Sequence, residues 1–161
     1  MMKRLTYILP VLGLLLLLAG SCTVQNTNQT VETDSILDAY WTLVSLEGQD
    51  VQRPQNTQTA FIRFEEGKTS VHGFTGCNRF FGKYELNGQN LALSGLGSTR
   101  MACPDMDQEN QLLDILSRVD SYRISGEVLT LYANETAVAT FMAGTEESID
   151  NDARQGGVIK Y

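Results

Sequence analysis

Positive charge, histidine and proline are scarce in this sequence. Its 161 residues include 12 Lys and Arg against 19 Asp and Glu, one histidine and three prolines, and the formal net charge is −7. Nucleic-acid-binding proteins carry a basic patch or stripe, whereas the cations here are scattered along the chain, so we predict no nucleic-acid partner. Since His72 is the only imidazole and no Cys-x-x-Cys pair is present, we predict no metal site of the zinc type. We predict no cofactor either.

Long apolar runs are confined to the N-terminus. A positively charged start precedes Leu5–Leu18, which is short for a membrane span but typical of a secretory signal. The following Ala19–Cys22 (Ala-Gly-Ser-Cys) resembles a bacterial lipobox, whose cysteine is lipidated when the signal is removed. We predict a signal peptide over residues 1–21 and an anchor of the palmitate type on Cys22. The alternative is an ordinary signal peptide followed by a chance cysteine.

This predicted anchor sets the expected location and domain plan. Several acyl chains together hold a protein stably at a membrane, so we expect a protein of the bacterial cell envelope. An aspartate directly after the lipidated cysteine would favour retention in the inner membrane. Because this position is Thr23, we expect the protein on the periplasmic side of the outer membrane. Polar composition predicts a spacer over residues 22–38 after the lipidated cysteine, and a polar, acidic tail over 144–161, whose docking stays open. Residues 39–143 are expected to form one monomeric domain.

Short β-branched and aromatic runs, separated by turn residues at about ten-residue spacing, dominate this domain. Asn87-Gly88 is the strongest hairpin signal among them. The pattern predicts a mainly β (α+β) fold, an antiparallel β sandwich or partly open barrel of about eight strands with one packed α-helix. The predicted strands are Tyr40–Leu46, Thr59–Phe64, Thr69–Phe74, Gly82–Leu86, Asn90–Leu93, Ser121–Ser125, Val128–Tyr132 and Thr136–Met142.

One segment has helical periodicity. Apolar residues recur at helical spacing from Leu112 to Val119, which predicts an amphipathic helix. Asp105, with Gln108 three residues later, is the predicted N-cap.

Three glycines and four aromatic residues crowd into Gly73–Tyr84. Glycine costs roughly 1 kcal/mol relative to alanine inside a helix, so this segment predicts two β-strands joined by a tight turn. Its candidate core anchors are Phe74, Phe80, Phe81 and Tyr84.

Two cysteines, Cys77 and Cys103, remain after the predicted lipidation. In an exported protein such a pair normally forms a disulfide, which here would tie the glycine-rich turn to the start of the helix. Two alternatives stay open, namely free structural thiols and a nucleophile–base pair of Cys77 with His72. Because no third group to orient that pair is apparent, we predict no catalytic residues.

Two motif blocks resemble the META/HslJ domain family. They are Gly76–Tyr84 (Gly-Cys-Asn-Arg-Phe-Phe-Gly-Lys-Tyr) and Thr99–Cys103 (Thr-Arg-Met-Ala-Cys), the second preceding the leucine-rich helix. The resemblance covers about Trp41–Met142. It implies a compact β-rich fold likened to the type III secretion pilot proteins and an envelope location, often as a lipoprotein. It also implies no established enzymatic activity and an association with heat-shock stress and novobiocin resistance.

Four residues beside the cysteines, Asn78, Arg79, Arg100 and Met101, form a candidate recognition patch if they are exposed. A structural role is the alternative. We therefore expect a noncatalytic envelope lipoprotein that binds a partner protein or an apolar ligand in envelope stress or antibiotic tolerance. The alternatives are a thiol-dependent enzyme or redox protein that uses the two thiols, and a purely structural, stress-stabilising envelope protein.

Overall fold

Nine β-strands and an α-helix make up most of the chain that this computed structural model describes, residues 35–51, 58–104, 106–147 and 149. In chain order the elements are β1 (Tyr40–Leu46), β2 (Gln49–Asp50), β3 (Phe61–Glu65), β4 (Ser70–Phe74), β5 (Arg79–Asn87), β6 (Asn90–Ser98), α1 (Asp107–Arg118), β7 (Ser121–Ser125), β8 (Val128–Ala133) and β9 (Thr136–Gly144).

The sheet formed by these strands closes on itself. Its order is β2-β1-β3-β4-β5-β6-β7-β8-β9, all neighbours are antiparallel, and β1 also pairs with β9. A sheet closed in this way is a barrel. The predicted mainly β fold, an antiparallel and partly open barrel with one packed helix, is therefore confirmed. The short β2 is not among the predicted strands and raises the number of strands from about eight to nine.

The barrel is weakest between β6 and β7. These strands share one residue pair, Asn90 with Ser121, whereas β5 and β6 pair over most of their length. The helix α1 connects the two strands and packs against β6 and β9. It buries Leu112, Ile115 and Leu116, which belong to the same apolar cluster as the buried residues of the strands. The predicted amphipathic periodicity is thus confirmed.

The start of α1 differs from the sequence prediction. The predicted N-cap, Asp105, lies outside the described residues, and the N-cap position belongs to Met106, which makes no capping side-chain hydrogen bond. Gln108 instead donates from Nε2 to the carbonyl oxygen of Thr75 at 2.7 Å. The β4–β5 turn, rather than a local cap, therefore supports this end of the helix.

One apolar cluster fills the barrel. Trp41 on β1 is completely buried, and its Nε1 donates to the carbonyl oxygen of Ile36 at 2.8 Å. Ile36 is itself buried although it falls in the predicted spacer, and Ile149 is buried in the predicted tail. Other fully buried members of the cluster are Leu43, Ile62, Phe64, Phe80, Leu91, Leu129 and Phe141.

The predicted core anchors only partly agree with this core. Phe80 and Tyr84 are buried, and Phe74 is half-buried. Phe81 is 58% exposed, so its prediction as a core anchor is wrong. Successive side chains of a strand point to opposite faces, and the burial of Phe80 on β5 therefore places Phe81 outside.

Gly73 on β4 begins the glycine-rich segment, and its surroundings show why this position needs a glycine. A Cβ built there would lie 2.0 Å from the carbonyl oxygen of Phe61 and 2.5 Å from Cε1 of Phe80. Any side chain would push the Phe80 ring away from the sheet. Glycine thus lets the ring lie directly against the backbone.

The predicted signal peptide, Cys22 and most of the predicted spacer lie outside the described residues, as does most of the predicted tail. Within the described part of the chain, no helix has both the length and the apolar character needed to cross a membrane.

Candidate functional site

The first motif block begins in the turn between β4 and β5 and continues into β5. The turn is closed by a hydrogen bond of 2.9 Å from the Thr75 backbone N to the carbonyl oxygen of Asn78. Gly76 within the turn has φ of +110°, and a Cβ on it would lie 2.6 Å from Nε2 of Gln108. The positive φ therefore favours glycine at this position, and a larger residue would also displace the Gln108 side chain.

The side chain of Asn78 binds the segment that follows β6. Its Oδ1 accepts hydrogen bonds from the Met101 backbone N at 2.7 Å and from Thr99 Oγ1 at 2.8 Å. Its Nδ2 donates to the carbonyl oxygen of Met101 at 3.2 Å. Asn78 thus pairs with both backbone groups of one residue, as a neighbouring strand would. The Thr99 backbone N donates to the carbonyl oxygen of Arg79 at 2.9 Å and fixes the same segment against β5.

A buried carboxylate completes the network. Glu109, in the first turn of α1, is 5% exposed and accepts hydrogen bonds from Asn78 N at 3.0 Å and Asn78 Nδ2 at 3.1 Å. Thr75 Oγ1 lies 2.7 Å from Glu109 Oε2 and 2.9 Å from the Asn78 carbonyl oxygen, and it donates its single hydrogen to one of them at a time. We call these contacts of Thr75, Asn78, Thr99, Met101 and Glu109 the Asn78 network.

No lysine or arginine among the described residues forms an ion pair with Glu109. A buried charge without hydrogen bonds would be very costly. Here the donors of Thr75 and Asn78 and the positive end of the α1 dipole offset the burial.

The predicted disulfide between Cys77 and Cys103 is confirmed, with the two Cα atoms 6.2 Å apart. Cys77 is 8% exposed, and Asn78 Nδ2 lies 3.3 Å from its sulfur. The bridge joins the β4–β5 turn to the segment before α1, which the Asn78 network also holds. Because the bridge uses both sulfurs, neither supplies a thiolate nucleophile in this state. The alternatives of free thiols and of a Cys77–His72 pair do not match this arrangement.

His72 lies on the outer face of β4, opposite Arg63 on β3 and Phe81 on β5. Its pKa is lowered, chiefly because partial burial removes water from the imidazolium form; Glu65 opposes this effect, and Arg63 and Arg79 add to it. The imidazole is therefore biased toward its neutral form. The described residues include no group of three or more His, Cys, Asp or Glu side chains suited to a metal ion.

The four predicted recognition residues separate into one buried and three exposed side chains. Asn78 is 1% exposed, so it cannot belong to a surface patch, and its contacts make it structural. Arg79 and Arg100 are exposed, and Met101 is 64% exposed. Phe81 lies two residues beyond Arg79 on β5 and hence on the same face of that strand. The hydrogen bond from Thr99 N to the Arg79 carbonyl oxygen brings the segment with Arg100 and Met101 alongside Arg79. We call Arg79, Phe81, Arg100 and Met101 the arginine–aromatic face.

Sequence reasoning missed two residues of this region, Glu109 and Phe81. Glu109 stands three residues before Leu112 and seven before Leu116, which is the spacing of the buried stripe of α1. The position of Glu109 in the helical repeat therefore predicts that its side chain is buried, whereas its charge predicts that it is exposed. For Phe81 the signal was strand alternation next to Phe80.

These elements define a small, disulfide-clamped antiparallel barrel that is completed by one helix and has an exposed arginine–aromatic face. The chain belongs to the META domain family, whose model matches residues 34–146. The family indicated by the two motif blocks is thus confirmed. No curated protein matches the chain.

Solved structures are similar in fold. A protein from Burkholderia xenovorans, determined by NMR, is 24% identical with a TM-score of 0.55, and the match covers 69% of this chain and 85% of that one. A second NMR structure is 26% identical with a TM-score of 0.52 and coverages of 65% and 88%. A DUF4847 family protein from Bacteroides vulgatus is 12% identical with a TM-score of 0.46 and coverages of 66% and 93%.

Proposed function

We propose that this META-domain protein is a noncatalytic lipoprotein of the bacterial cell envelope that binds a partner protein through the arginine–aromatic face. The observation that carries the proposal is the exposure of two large apolar side chains, Phe81 and Met101, beside two exposed arginines. Protein interfaces are enriched in aromatic residues, Met and Arg and depleted in Lys, Glu and Asp. The arginine–aromatic face has this composition.

The frame beneath the face favours binding without rearrangement. Arg79 and Phe81 belong to β5, which pairs with β4 and β6. Arg100 and Met101 follow β6 and are held by the Asn78 network and by the neighbouring disulfide. A surface fixed before binding loses little conformational freedom when the partner arrives, and affinity then depends on the contacts themselves.

Three features support binding over catalysis and a protein partner over an internal apolar ligand. Both thiols of the domain form the disulfide. The single histidine, His72, lies on the outer face of the barrel. Large side chains such as Trp41, Phe64 and Phe141 fill the interior of the barrel. Because these side chains occupy the interior, we propose that the partner binds on the outer surface of the barrel.

The proposed location in the envelope depends on the lipid on Cys22. Metabolic labelling with an alkyne palmitate analogue is expected to label the wild-type protein and to leave the Cys22→Ser variant unlabelled. Fractionation of the envelope is expected to place the labelled protein in the outer membrane. Recovery of unlabelled wild-type protein in the soluble periplasm would contradict the anchor.

Site-specific photo-crosslinking in the native host tests the face itself. Benzoylphenylalanine replaces Phe81 or Met101, and the control replaces exposed Thr136 at the β8–β9 turn. We expect discrete protein adducts from the first two positions and none from the control. Equal adducts from all three positions, or none from any, would refute binding through this face.

A deletion strain tests the role in envelope stress. If partner binding is the function, the Phe81→Ser variant is expected to fold and to be lipidated but not to restore growth under novobiocin. Full restoration by this variant would favour a purely structural, stress-stabilising role instead.

A further inference from the structure

We infer that the partner presents an acidic segment of polypeptide to the arginine–aromatic face, with carboxylates on Arg79 and Arg100 and apolar side chains on Phe81 and Met101. This inference rests on the proposed function and adds the chemistry of the partner.

Arg79 and Arg100 differ from the other arginines of the described chain in having neither a carboxylate nor an aromatic partner. Among these residues Arg123 forms no ion pair either, but its guanidinium lies over the Tyr132 ring. Arg63 pairs with Asp38 at 3.6 Å, and Arg118 pairs with Glu47 and Asp114. In the same part of the structure, Arg79 and Arg100 form no ion pair with a carboxylate. Two unpaired guanidinium groups thus stand exposed on a protein whose net charge is −7. Guanidinium groups bind carboxylates through two parallel hydrogen bonds, so complementary charge points to an acidic partner.

The apolar half of the face consists of one fixed and one adaptable side chain. A Cβ on Gly97 of β6 would lie 3.0 Å from Cε2 and Cζ of Phe81, so the Phe81 ring packs against the bare backbone of Gly97. The ring remains 58% exposed and offers a preset surface for an apolar side chain. Met101, which is 64% exposed, is flexible and adapts to different shapes.

The observations favour a polypeptide over a lipid surface. Recognition of anionic lipids typically uses clusters of four to eight cationic residues, whereas this face has two on an acidic protein. The N-terminal segment, which would lead to the lipid anchor, contacts the end of β4 opposite to the arginine–aromatic face, so the face is not on the side where the anchor segment joins the barrel. Leu37 bridges to Phe64, and Asp38 N donates to the Phe64 carbonyl oxygen, near the β3–β4 hairpin. Arg79 pairs with Phe74, at the opposite end of β4.

Selection from a random peptide library tests the inference. The full-length lipidated protein in detergent micelles is panned with phage that display random 12-residue peptides. The selected peptides are then bound to three proteins: wild type, the double variant Arg79→Gln/Arg100→Gln, and the control Lys68→Gln/Arg123→Gln. The control removes the same two charges from exposed positions outside the face, so any effect of net charge alone appears in both variants.

We expect selected peptides to be enriched in Asp and Glu next to apolar residues. The double variant is expected to bind them at least about ten-fold more weakly, because each of two close charge pairs contributes. The control is expected to stay within about two-fold of wild type. Binding is expected to weaken with added NaCl, since salt screens exposed charges.

Several outcomes would overturn the inference. Peptides without acidic enrichment, an equal loss of affinity in the control, or recovery of no peptide would each contradict it. Binding to vesicles of phosphatidylglycerol and phosphatidylethanolamine that is lost in the double variant would assign the arginines to lipid instead. If photo-crosslinking from Phe81 succeeds while the peptides are not acidic, only the partner chemistry fails. If crosslinking itself fails, the proposed function fails too.

Discussion

Replacing Asn78 by alanine removes the centre of the Asn78 network and leaves the disulfide in place. The substitution deletes the acceptor for Met101 N and Thr99 Oγ1 and the donor to the Met101 carbonyl oxygen. It also deletes the Nδ2 donor to Glu109. Because the Asn78 backbone N still donates to Glu109, the carboxylate loses only part of its support.

The size of the effect follows from these contacts. A neutral hydrogen bond contributes about 1 kcal/mol net, and one to a charged group about 2 kcal/mol, so three neutral bonds and one charged bond give an upper limit of about 5 kcal/mol. Water replaces part of the neutral bonds, because Met101 is 64% exposed. It does not readily reach Glu109, which is 5% exposed. We therefore expect the free energy of unfolding to fall by about 3 kcal/mol, a large share of the stability of an ordinary domain.

Urea-induced unfolding of the full chain, without reductant, measures this loss. Trp41 is the only tryptophan and is completely buried, so its fluorescence reports the core. The matched control is Asn110→Ala, because Asn110 is exposed on α1. This control is expected to remain within about 0.5 kcal/mol of wild type, since alanine favours helix. A loss below about 1 kcal/mol for Asn78→Ala, or one no larger than that of the control, would refute the assigned role of the network.

Two further predictions concern the disulfide and the single histidine. Reduction of the Cys77–Cys103 bridge, whose cysteines are 26 residues apart, is expected to lower the free energy of unfolding by up to about 3.5 kcal/mol; unchanged urea midpoints after complete reduction would contradict this. Burial lowers the folded pKa of His72, so the unfolded chain takes up its proton first as the pH falls. The contribution of His72 to stability is therefore expected to be complete above about pH 6.5 and to decrease as the pH falls from there toward the folded pKa. The proton NMR titration of this one imidazole measures that pKa, and a value at or above that of a histidine in an unfolded peptide would contradict the prediction.

Local pattern was sufficient for most of the fold. The ranges Tyr40–Leu46 and Ser121–Ser125 agree with β1 and β7, because strand alternation and turn residues act over a few neighbouring positions. The strand β6 was predicted to end at Leu93 but continues to Ser98. It passes through Gly95, which has φ of +60° and lies where the register with β5 shifts by one residue. A bulge of this kind places turn-like residues inside a strand, so the sequence pattern looks like a strand end.

The site was harder to predict because its parts meet only in three dimensions. The disulfide could be predicted, since two cysteines in a chain with a predicted export signal have few alternatives to pairing. The burial of Asn78 and Glu109 could not, because polar residues are usually exposed. Their burial becomes favourable only when the β4–β5 turn, residues 99–101 and the first turn of α1 lie side by side and satisfy each other's hydrogen bonds.

The network also explains how a buried residue determines an exposed surface. Arg100 and Met101 follow the end of β6, where the strand ladder no longer fixes their position. Asn78 takes over this role, since its amide matches both backbone groups of Met101 in one register only. Aspartate has the same shape but lacks the donor for Met101 and would face the carboxylate of Glu109, and glutamine is longer by one carbon. Only asparagine therefore sets the spacing of Arg100 and Met101 relative to Arg79 within the face that we propose for partner binding.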